Sequence, residues 1–148
     1  MGLSLDNLPN QFDVVWCLFP HEGKKLQPGP VARPTLVLDV RTNEQRTAAG
    51  LIVTYGTSTD EENTPYLDNG PDLTIETKAA ALALGLHGPT TFSMWAQRRK
   101  QLLWSEDYFV PEPYRANASI IVGSLNAEQI ARVKACFKAR GLAPYWAD

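Results

Sequence analysis

One arginine and a pair of hydroxyls are the residues of this sequence best suited to chemistry. Arg33, which a proline follows, ends a long loop and opens the β-favouring segment Thr35–Val40. Thr57 and Ser58 end a second such segment, which begins at Leu51. A guanidinium can donate two parallel hydrogen bonds to a phosphate, and a neighbouring hydroxyl can bond the same group. The order of these residues predicts a binding rim where the two segments meet.

Each of these residues also has a purely structural interpretation. Arg33 could be an exposed residue at the start of a strand. Thr57 and Ser58 could satisfy free backbone groups where a strand ends. Trp16 fits a packed core better than a surface on which a base stacks.

Two short basic runs are the remaining candidates for contacts with phosphates. Lys24 and Lys25 lie in the loop before Arg33, and Arg98–Lys100 follow a β-favouring segment. Trp95 and Trp104 flank the second run, and aromatic rings beside cations can stack bases. Packing inside the fold is the alternative for both tryptophans, and runs this short are commonly solvated turns.

Length and charge limit the class of protein. The chain has 148 residues and a net charge of -2, from 14 Lys and Arg against 16 Asp and Glu. A single domain over residues 1–148 is the simplest organisation, and such a domain can bury roughly 70% of its unfolded surface without disulfides. The charge argues against a generally basic nucleic-acid-binding surface, but it leaves room for a local basic groove.

Cysteine usage and hydropathy predict a cytoplasmic protein. Cys17 and Cys136 are the two cysteines, neither belongs to a CxxC motif, and both fit small buried hydrophobes. We therefore expect neither a metal site nor a cofactor. No leader pattern opens the chain and no apolar run approaches ~18 residues, so we expect no membrane partner.

The patterning predicts a mostly β fold. Residues 1–11 form an arm that Leu3, Leu5 and Leu8 could pack onto the body. Thr77 is the expected N-cap of a short helix ending near Leu86. We expect strands at Phe12–Pro20, Thr35–Val40, Leu51–Ser58, Leu73–Ile75, Thr90–Ala96, Leu102–Val110 and Ala118–Val122.

The chain closes with the clearest helix signal. Asn126 and Gln129 form a capping-box pair, the helix is expected to run to Arg140, and Gly141 fits its C-cap. Short strands with long loops and an amphipathic helix that must bury one face predict a small antiparallel barrel with a C-terminal helix and a short additional helix.

These residues resemble the MazF/PemK toxin family. The family pattern is a strand reading roughly D-[IV]-[VI]-W-x-x-x-x-P, a Gly-rich loop, Arg-Pro, an aliphatic strand and a third strand ending in hydroxyls. Here the pattern corresponds to Asp13–Trp16 with Pro20, the loop Gly23–Gly29, Arg33-Pro34, Leu36–Leu38 and Val53–Ser58. The first strand and the Arg-Pro are its specific part, and the C-terminal strand and helix are generic.

The resemblance implies an SH3-like barrel and a metal-independent endoribonuclease toxin that cleaves single-stranded RNA, forms a homodimer and is blocked by an antitoxin protein. Arg33 would then stabilise the charged phosphorane formed by attack of the 2′-OH, and Thr57 or Ser58 would position the phosphate. Further contacts with RNA would come from Lys24, Lys25, Thr91, Ser93, Arg98 and Arg99.

The proton carrier is where the sequence departs from the family. Some relatives have an acidic residue on the strand that Thr90–Met94 matches, but here Thr91 and Ser93 stand there. His21 and Glu22 are the candidate replacements. Two alternatives follow: a non-catalytic module binding nucleic acid or peptide on the same barrel, or an unrelated small enzyme that uses His21 or His87.

Overall fold

A computed structural model of the chain describes residues 3–20, 27–58, 71–94 and 96–147, apart from the side chains of Ser58 and Gln97. Its described part is mostly β, as the sequence predicts. Seven strands are present in it: β1 (Asp13–Cys17), β2 (Arg33–Thr42), β3 (Ala49–Ser58), β4 (Leu73–Ile75), β5 (Thr90–Phe92), β6 (Arg99–Leu103) and β7 (Ile121–Ser124).

The strands form one curled antiparallel sheet. Six of them follow the order β4-β5-β3-β2-β1-β7, and β6 pairs with β3 beside β5. The ten-residue β3 makes this possible, because Gly50–Thr54 pair with β6 and Gly56–Ser58 pair with β5. The result is a half-barrel, which confirms the antiparallel architecture; the finer assignment to an SH3-like barrel stays a prediction.

Each face of the sheet carries its own apolar cluster, because side chains alternate between the faces of a strand. The helix-face cluster packs against the C-terminal helix, and its largest fully buried members include Leu36, Leu38, Phe92, Met94 and Phe137. The far-face cluster covers the opposite side, with Val15, Val37, Leu51, Val53, Leu102 and Phe109. The two clusters define two environments for polar residues at the strand ends.

Both helices begin where the capping residues predict, and α2 also ends there, whereas α1 ends at Ala83, short of the expected end near Leu86. Helix α1 (Lys78–Ala83) starts at Thr77, whose hydroxyl accepts a hydrogen bond from the Ala80 N–H at 3.1 Å. Helix α2 (Ala127–Arg140) has both hydrogen bonds of the capping box between Asn126 and Gln129. Among the described residues, neither helix nor any other is long and apolar enough to cross a membrane.

The strand predicted at Leu102–Val110 is wrong. Arg99 and Lys100, which the sequence places in a turn, instead begin β6, because the backbone of β3 from Gly50 to Thr54 pairs with them. The chain turns after Leu103, and Phe109 makes an isolated bridge to Cys17. Likewise, the last strand lies at Ile121–Ser124, later than its apolar run suggests.

The N-terminal arm packs on the far face, as predicted. Leu3, Leu5 and Leu8 contact the far-face cluster. The indole Nε1 of Trp104 donates to the Ser4 carbonyl at 3.0 Å. The arm therefore covers apolar surface near β6, and Trp104 is a packed residue of this cluster.

Candidate functional site

Two arginines converge on one tyrosine at the rim of the far face. Arg33 begins β2, Tyr55 lies in β3, and Arg98 ends the 3₁₀ turn Ala96–Arg98 that precedes β6. The Arg33 guanidinium carbon lies 5.3 Å from the Tyr55 ring centroid, and that of Arg98 lies 6.0 Å away. Nη1 of Arg98 also donates a hydrogen bond to Tyr55 Oη. We call these three residues the arginine–tyrosine site.

Packing holds the tyrosine in place. The ring of Phe19, which follows β1, lies 4.8 Å from the Tyr55 ring, and Tyr55 packs against the far-face cluster. Cation–π contacts of this kind contribute about 0.5–1 kcal/mol at exposed positions. The tyrosine therefore orients two guanidiniums that would otherwise repel each other. Among the described residues, no carboxylate forms an ion pair with Arg33.

A row of three threonines continues the same face away from Tyr55. Thr57 pairs with Thr91 across β3 and β5, and Thr91 pairs with Thr74 across β5 and β4. Directly paired residues share a face, and Thr57 shares a face with Tyr55 because it lies two residues further along the strand. The hydroxyls of Thr74 and Thr91 are 3.1 Å apart. We call this the hydroxyl row.

Gly56 allows β5 to approach between the tyrosine and the row. A Cβ built on Gly56 would lie 2.6 Å from a Thr90 methyl carbon and 2.8 Å from the Phe92 ring. Any side chain there would push β5 away. The glycine therefore allows β5 to pack closely against β3, with Thr91 opposite Thr57.

The structure brings together four of the site residues predicted from the sequence. Arg33 and Arg98 flank Tyr55, and Thr57 and Thr91 lie on the same face. Ser93 lies just beyond β5, where its carbonyl accepts a hydrogen bond from the Thr54 hydroxyl at 2.7 Å.

Arg99 lies elsewhere, on the helix face. Its guanidinium sits 5.3 Å from the Phe137 ring and 5.4 Å from the Tyr145 ring. Its Nη1 donates to Tyr145 Oη at 2.6 Å. Arg99 therefore does not join Arg33, although it follows Arg98 directly in sequence.

The remaining predicted site residues fall outside the described part of the chain. They are His21, Glu22, Lys24 and Lys25, together with the side chain of Ser58. On either side of residues 21–26, the ring of Phe19 contacts that of Tyr55, and the Gly29 N–H donates a hydrogen bond to the Leu18 carbonyl at 3.0 Å.

One residue of this site, Tyr55, is missed by reasoning from the sequence, which predicts only that it belongs to a strand. Lys100, part of the predicted basic run, pairs with Val53 in the register of β3 and β6, which places it on the face of Tyr55. Alternation along the segment Leu51–Ser58 could have identified Tyr55, because it places Tyr55 and Thr57 together.

Neither thiol is suited to nucleophilic chemistry. Burial raises the pKa of Cys17 from 9.0 to about 12, although a hydrogen bond with Thr35 opposes the shift. Burial also raises the pKa of Cys136, with a further contribution from the negative charge of Asp72. Within the described residues, no group of three or more His, Cys, Asp or Glu side chains could hold a metal ion.

Asp13 of the first-strand motif has a structural role. Its Oδ1 accepts a hydrogen bond from the Ser124 hydroxyl at 2.6 Å, and its Oδ2 accepts one from the Asn10 N–H at 2.7 Å. The buried carboxylate thereby joins the arm, β1 and β7. The motif residue thus serves the fold on which the site is built.

Comparisons of the chain with protein-family models, curated proteins and solved structures give no match. The resemblance to the MazF/PemK family therefore rests on the motif residues alone and stays a prediction.

Proposed function

We propose that the protein is a metal-independent endoribonuclease of the toxin–antitoxin type, which cleaves single-stranded RNA at the arginine–tyrosine site. The observation that carries the proposal is the convergence of Arg33 and Arg98 on Tyr55, on the face that also holds Thr57. Two cations and a hydroxyl can bind the oxygens of a phosphodiester and stabilise the negative charge that develops as the phosphorane forms.

Arg33 is the electrostatic stabiliser in this proposal. Attack of the 2′-OH on the adjacent phosphorus adds negative charge to the non-bridging oxygens, and a preorganised guanidinium stabilises that charge more than it stabilises the substrate. Arg98 binds a neighbouring phosphate oxygen or the flanking phosphate. The Thr57 hydroxyl donates a hydrogen bond to the phosphate that Arg33 binds. Thr57 lies next to the buried Thr91.

Proton transfer falls to the loop before Arg33. One group must accept the 2′-OH proton and another must protonate the leaving 5′-oxygen, each contributing about 10²–10⁴-fold. His21 and Glu22 are our candidates, because they are the imidazole and the carboxylate of the segment between Phe19 and Arg33. The rings of Phe19 and Tyr55 are in contact. In this scheme the protein acts as a homodimer in the cytoplasm, and an antitoxin protein covers the same face.

A non-catalytic RNA-binding module is the second candidate. The observation that favours it is the composition of the described site, which contains arginines, a tyrosine and threonines but no carboxylate or imidazole. Such a site binds phosphate without transferring a proton.

Cleavage of a long single-stranded RNA with EDTA present tests the proposal. We expect wild type to give mapped, sequence-specific cuts, and Arg33→Gln to lower the rate by at least about 100-fold, a loss typical of removing one stabilising donor. Arg46→Gln is the matched control, because it makes the same chemical change on the exposed turn between β2 and β3.

The outcomes separate the two candidates. Equal cutting by wild type and Arg33→Gln would show that the assignment of the site is wrong. Intact RNA that wild type nevertheless binds, with affinity reduced by Arg33→Gln but not by Arg46→Gln, would establish the binding module.

A further inference from the structure

Three aromatic rings meet on the other side of the β1–β2 rim, around the end of β1. The ring centroids of Trp16 and His87 are 5.7 Å apart, those of His87 and Tyr114 are 4.9 Å apart, and those of Trp16 and Tyr114 are 6.0 Å apart. All three contacts are edge-to-face. Each ring therefore holds the other two in place.

A buried carboxylate anchors this cluster from below. The side chain of Glu112 is 0% exposed, and it bonds His87 Nε2 at 3.0 Å, the Arg115 Nε–H at 3.0 Å and the Tyr114 N–H at 2.7 Å. Burial alone would raise the pKa of Glu112, but these hydrogen bonds outweigh it and hold the pKa below the ordinary value. The ionised Glu112 fixes His87 and Arg115 and is compensated by Arg115.

The fixed groups still present free surface. Tyr114 is 70% exposed, and the side chains of His87 and Arg115 are 48% and 59% exposed. Glu112 occupies Nε2 of His87 and Nε of Arg115, and within the described residues no hydrogen bond uses Nδ1 of His87 or the Nη atoms of Arg115. An aromatic face, an imidazole nitrogen and a guanidinium edge are therefore preorganised and accessible.

Two more observations suggest that the cluster binds a ligand. Nε1 of Trp16 is buried and has no acceptor among the described residues, which is unusual because a buried donor left unpaired costs about 1–3 kcal/mol. Beside Arg115 lies an open cleft of about 280 Å³, lined by Arg115 and residues 116–119, 121 and 122. A cleft this size accommodates part of a small polar ligand.

We propose that Tyr114, Arg115 and His87 form a nucleotide-binding subsite. A base stacks on the exposed face of Tyr114, and the Nη atoms of Arg115 bind its phosphate. His87 Nδ1 accepts a hydrogen bond from the sugar or the base.

The subsite lies next to the arginine–tyrosine site along the strands. Trp16 pairs with Pro34, and the preceding residue of β2 is Arg33. Because adjacent residues of a strand face opposite sides, the two sites lie on opposite faces of the sheet at the end of β1, and a single strand of RNA would have to cross this rim to occupy both. Nucleotide binding by the subsite stands without RNA cleavage, whereas its use by the same RNA strand rests on the proposed function.

Titration of the full-length protein with uridine 5′-monophosphate, ribose 5-phosphate and a 2′-O-methyl uridine hexanucleotide tests the proposal. We expect Tyr114→Ala to weaken binding of the mononucleotide about 10-fold, as loss of base stacking does, and Tyr114→Phe to retain it. Binding of ribose 5-phosphate should not change in Tyr114→Ala. Arg115→Gln should reduce the slope of log K against log salt for the hexanucleotide by about 0.7.

Leu82→Ala and Arg46→Gln are the controls, because both change exposed residues elsewhere. The proposal is wrong if wild type binds none of the three probes, or if Tyr114→Ala and Arg115→Gln bind as tightly as the controls. Circular dichroism confirms that each variant is folded, and Tyr114→Phe tests stacking without truncating the ring.

The hexanucleotide distinguishes a nucleotide within a strand from a free one. Affinity at least 10-fold above that of the mononucleotide, reduced by Arg33→Gln for the hexanucleotide alone, indicates one RNA strand across both sites. Equal affinity for the two probes indicates a free nucleotide. An effect of Tyr114→Ala without an effect of Arg33→Gln would retain the subsite and show that the same RNA strand does not extend to the arginine–tyrosine site.

Discussion

At the scale of single residues, Tyr55 contacts both arginines of the candidate site. Arg33 lies over its ring and Arg98 bonds its hydroxyl, so the two guanidiniums are held by different parts of one side chain. Phe19 supports the ring from the side of β1. This division allows the contributions of the ring and the hydroxyl to be separated by substitution.

Tyr55→Phe and Tyr55→Leu should differ in RNA affinity. The first removes only the hydroxyl that bonds Arg98, and we expect a loss of about 3-fold; the second also removes the ring beneath Arg33, and we expect about 10-fold. Fluorescence anisotropy with labelled single-stranded RNA measures both. Equal affinities for the three proteins would show that Tyr55 does not orient the arginines.

The sequence predicts the phosphate-binding candidates of the site better than the residue that orients them. Arg33 and Thr57 stand out because a loop and a strand end isolate them, and the structure places them on one face with Arg98. Nothing in the residues around Tyr55 distinguishes it from other tyrosines in strands. Its role depends on Arg98, which arrives from a segment 43 residues away, and no local pattern encodes that distance.

At the scale of elements, α2 is attached to the sheet by a buried ion pair. Nη2 of Arg140 lies 2.7 Å from Oδ1 of Asp72, with side chains 10% and 6% exposed. Arg140 Nε also donates to the Pro71 carbonyl, and Asp72 accepts from the Met94 N–H at 2.9 Å. The end of α2, the start of β4 and the end of the β5 segment therefore meet at one carboxylate.

Asp72→Asn should destabilise the protein strongly. The amide can keep the bond from Met94, but the ion pair with Arg140 loses its negative charge, and removing one partner of a buried ion pair costs about 3–5 kcal/mol. Urea denaturation followed by circular dichroism measures the change. Glu76→Gln is the control: Glu76 and Arg132 form an exposed pair at 3.6 Å, whose loss should cost under about 1 kcal/mol.

A small effect of Asp72→Asn, equal to that of Glu76→Gln, would mean that the ion pair does not attach α2.

Elements also show where sequence patterns stop being informative. The N-caps of α1 and α2 are local hydrogen bonds, and the sequence predicts both correctly. The predicted start of β6 was wrong, because Arg99 and Lys100 are polar and their sequence indicates a turn. Their strand conformation follows from pairing with β3, which is distant in sequence.

At the scale of the whole molecule, the sheet separates stability from the candidate site. The helix face carries α2 and the aromatic residues after Gly141, with Trp146 lying 5.6 Å from Phe12 and 4.8 Å from Phe137 between ring centroids. The far face carries the arginine–tyrosine site and the hydroxyl row. A change at Trp146, whose ring partners belong to neither proposed site, should therefore alter stability without altering RNA binding.

Trp146→Ala tests this separation. The partly buried indole links Phe12 at the start of β1 to Phe137 of α2, so its loss should destabilise the protein by about 2–3 kcal/mol, somewhat less than a fully buried tryptophan. Urea denaturation followed by far-ultraviolet circular dichroism measures this, and RNA affinity at 10 °C, where the variant stays folded, should match wild type.

Tyr145→Phe, which removes only the hydroxyl that bonds Arg99, is the milder control, at about 1 kcal/mol. A loss of RNA affinity in folded Trp146→Ala would show that the two faces are coupled, and the binding surface would then have to include the helix face and Arg99.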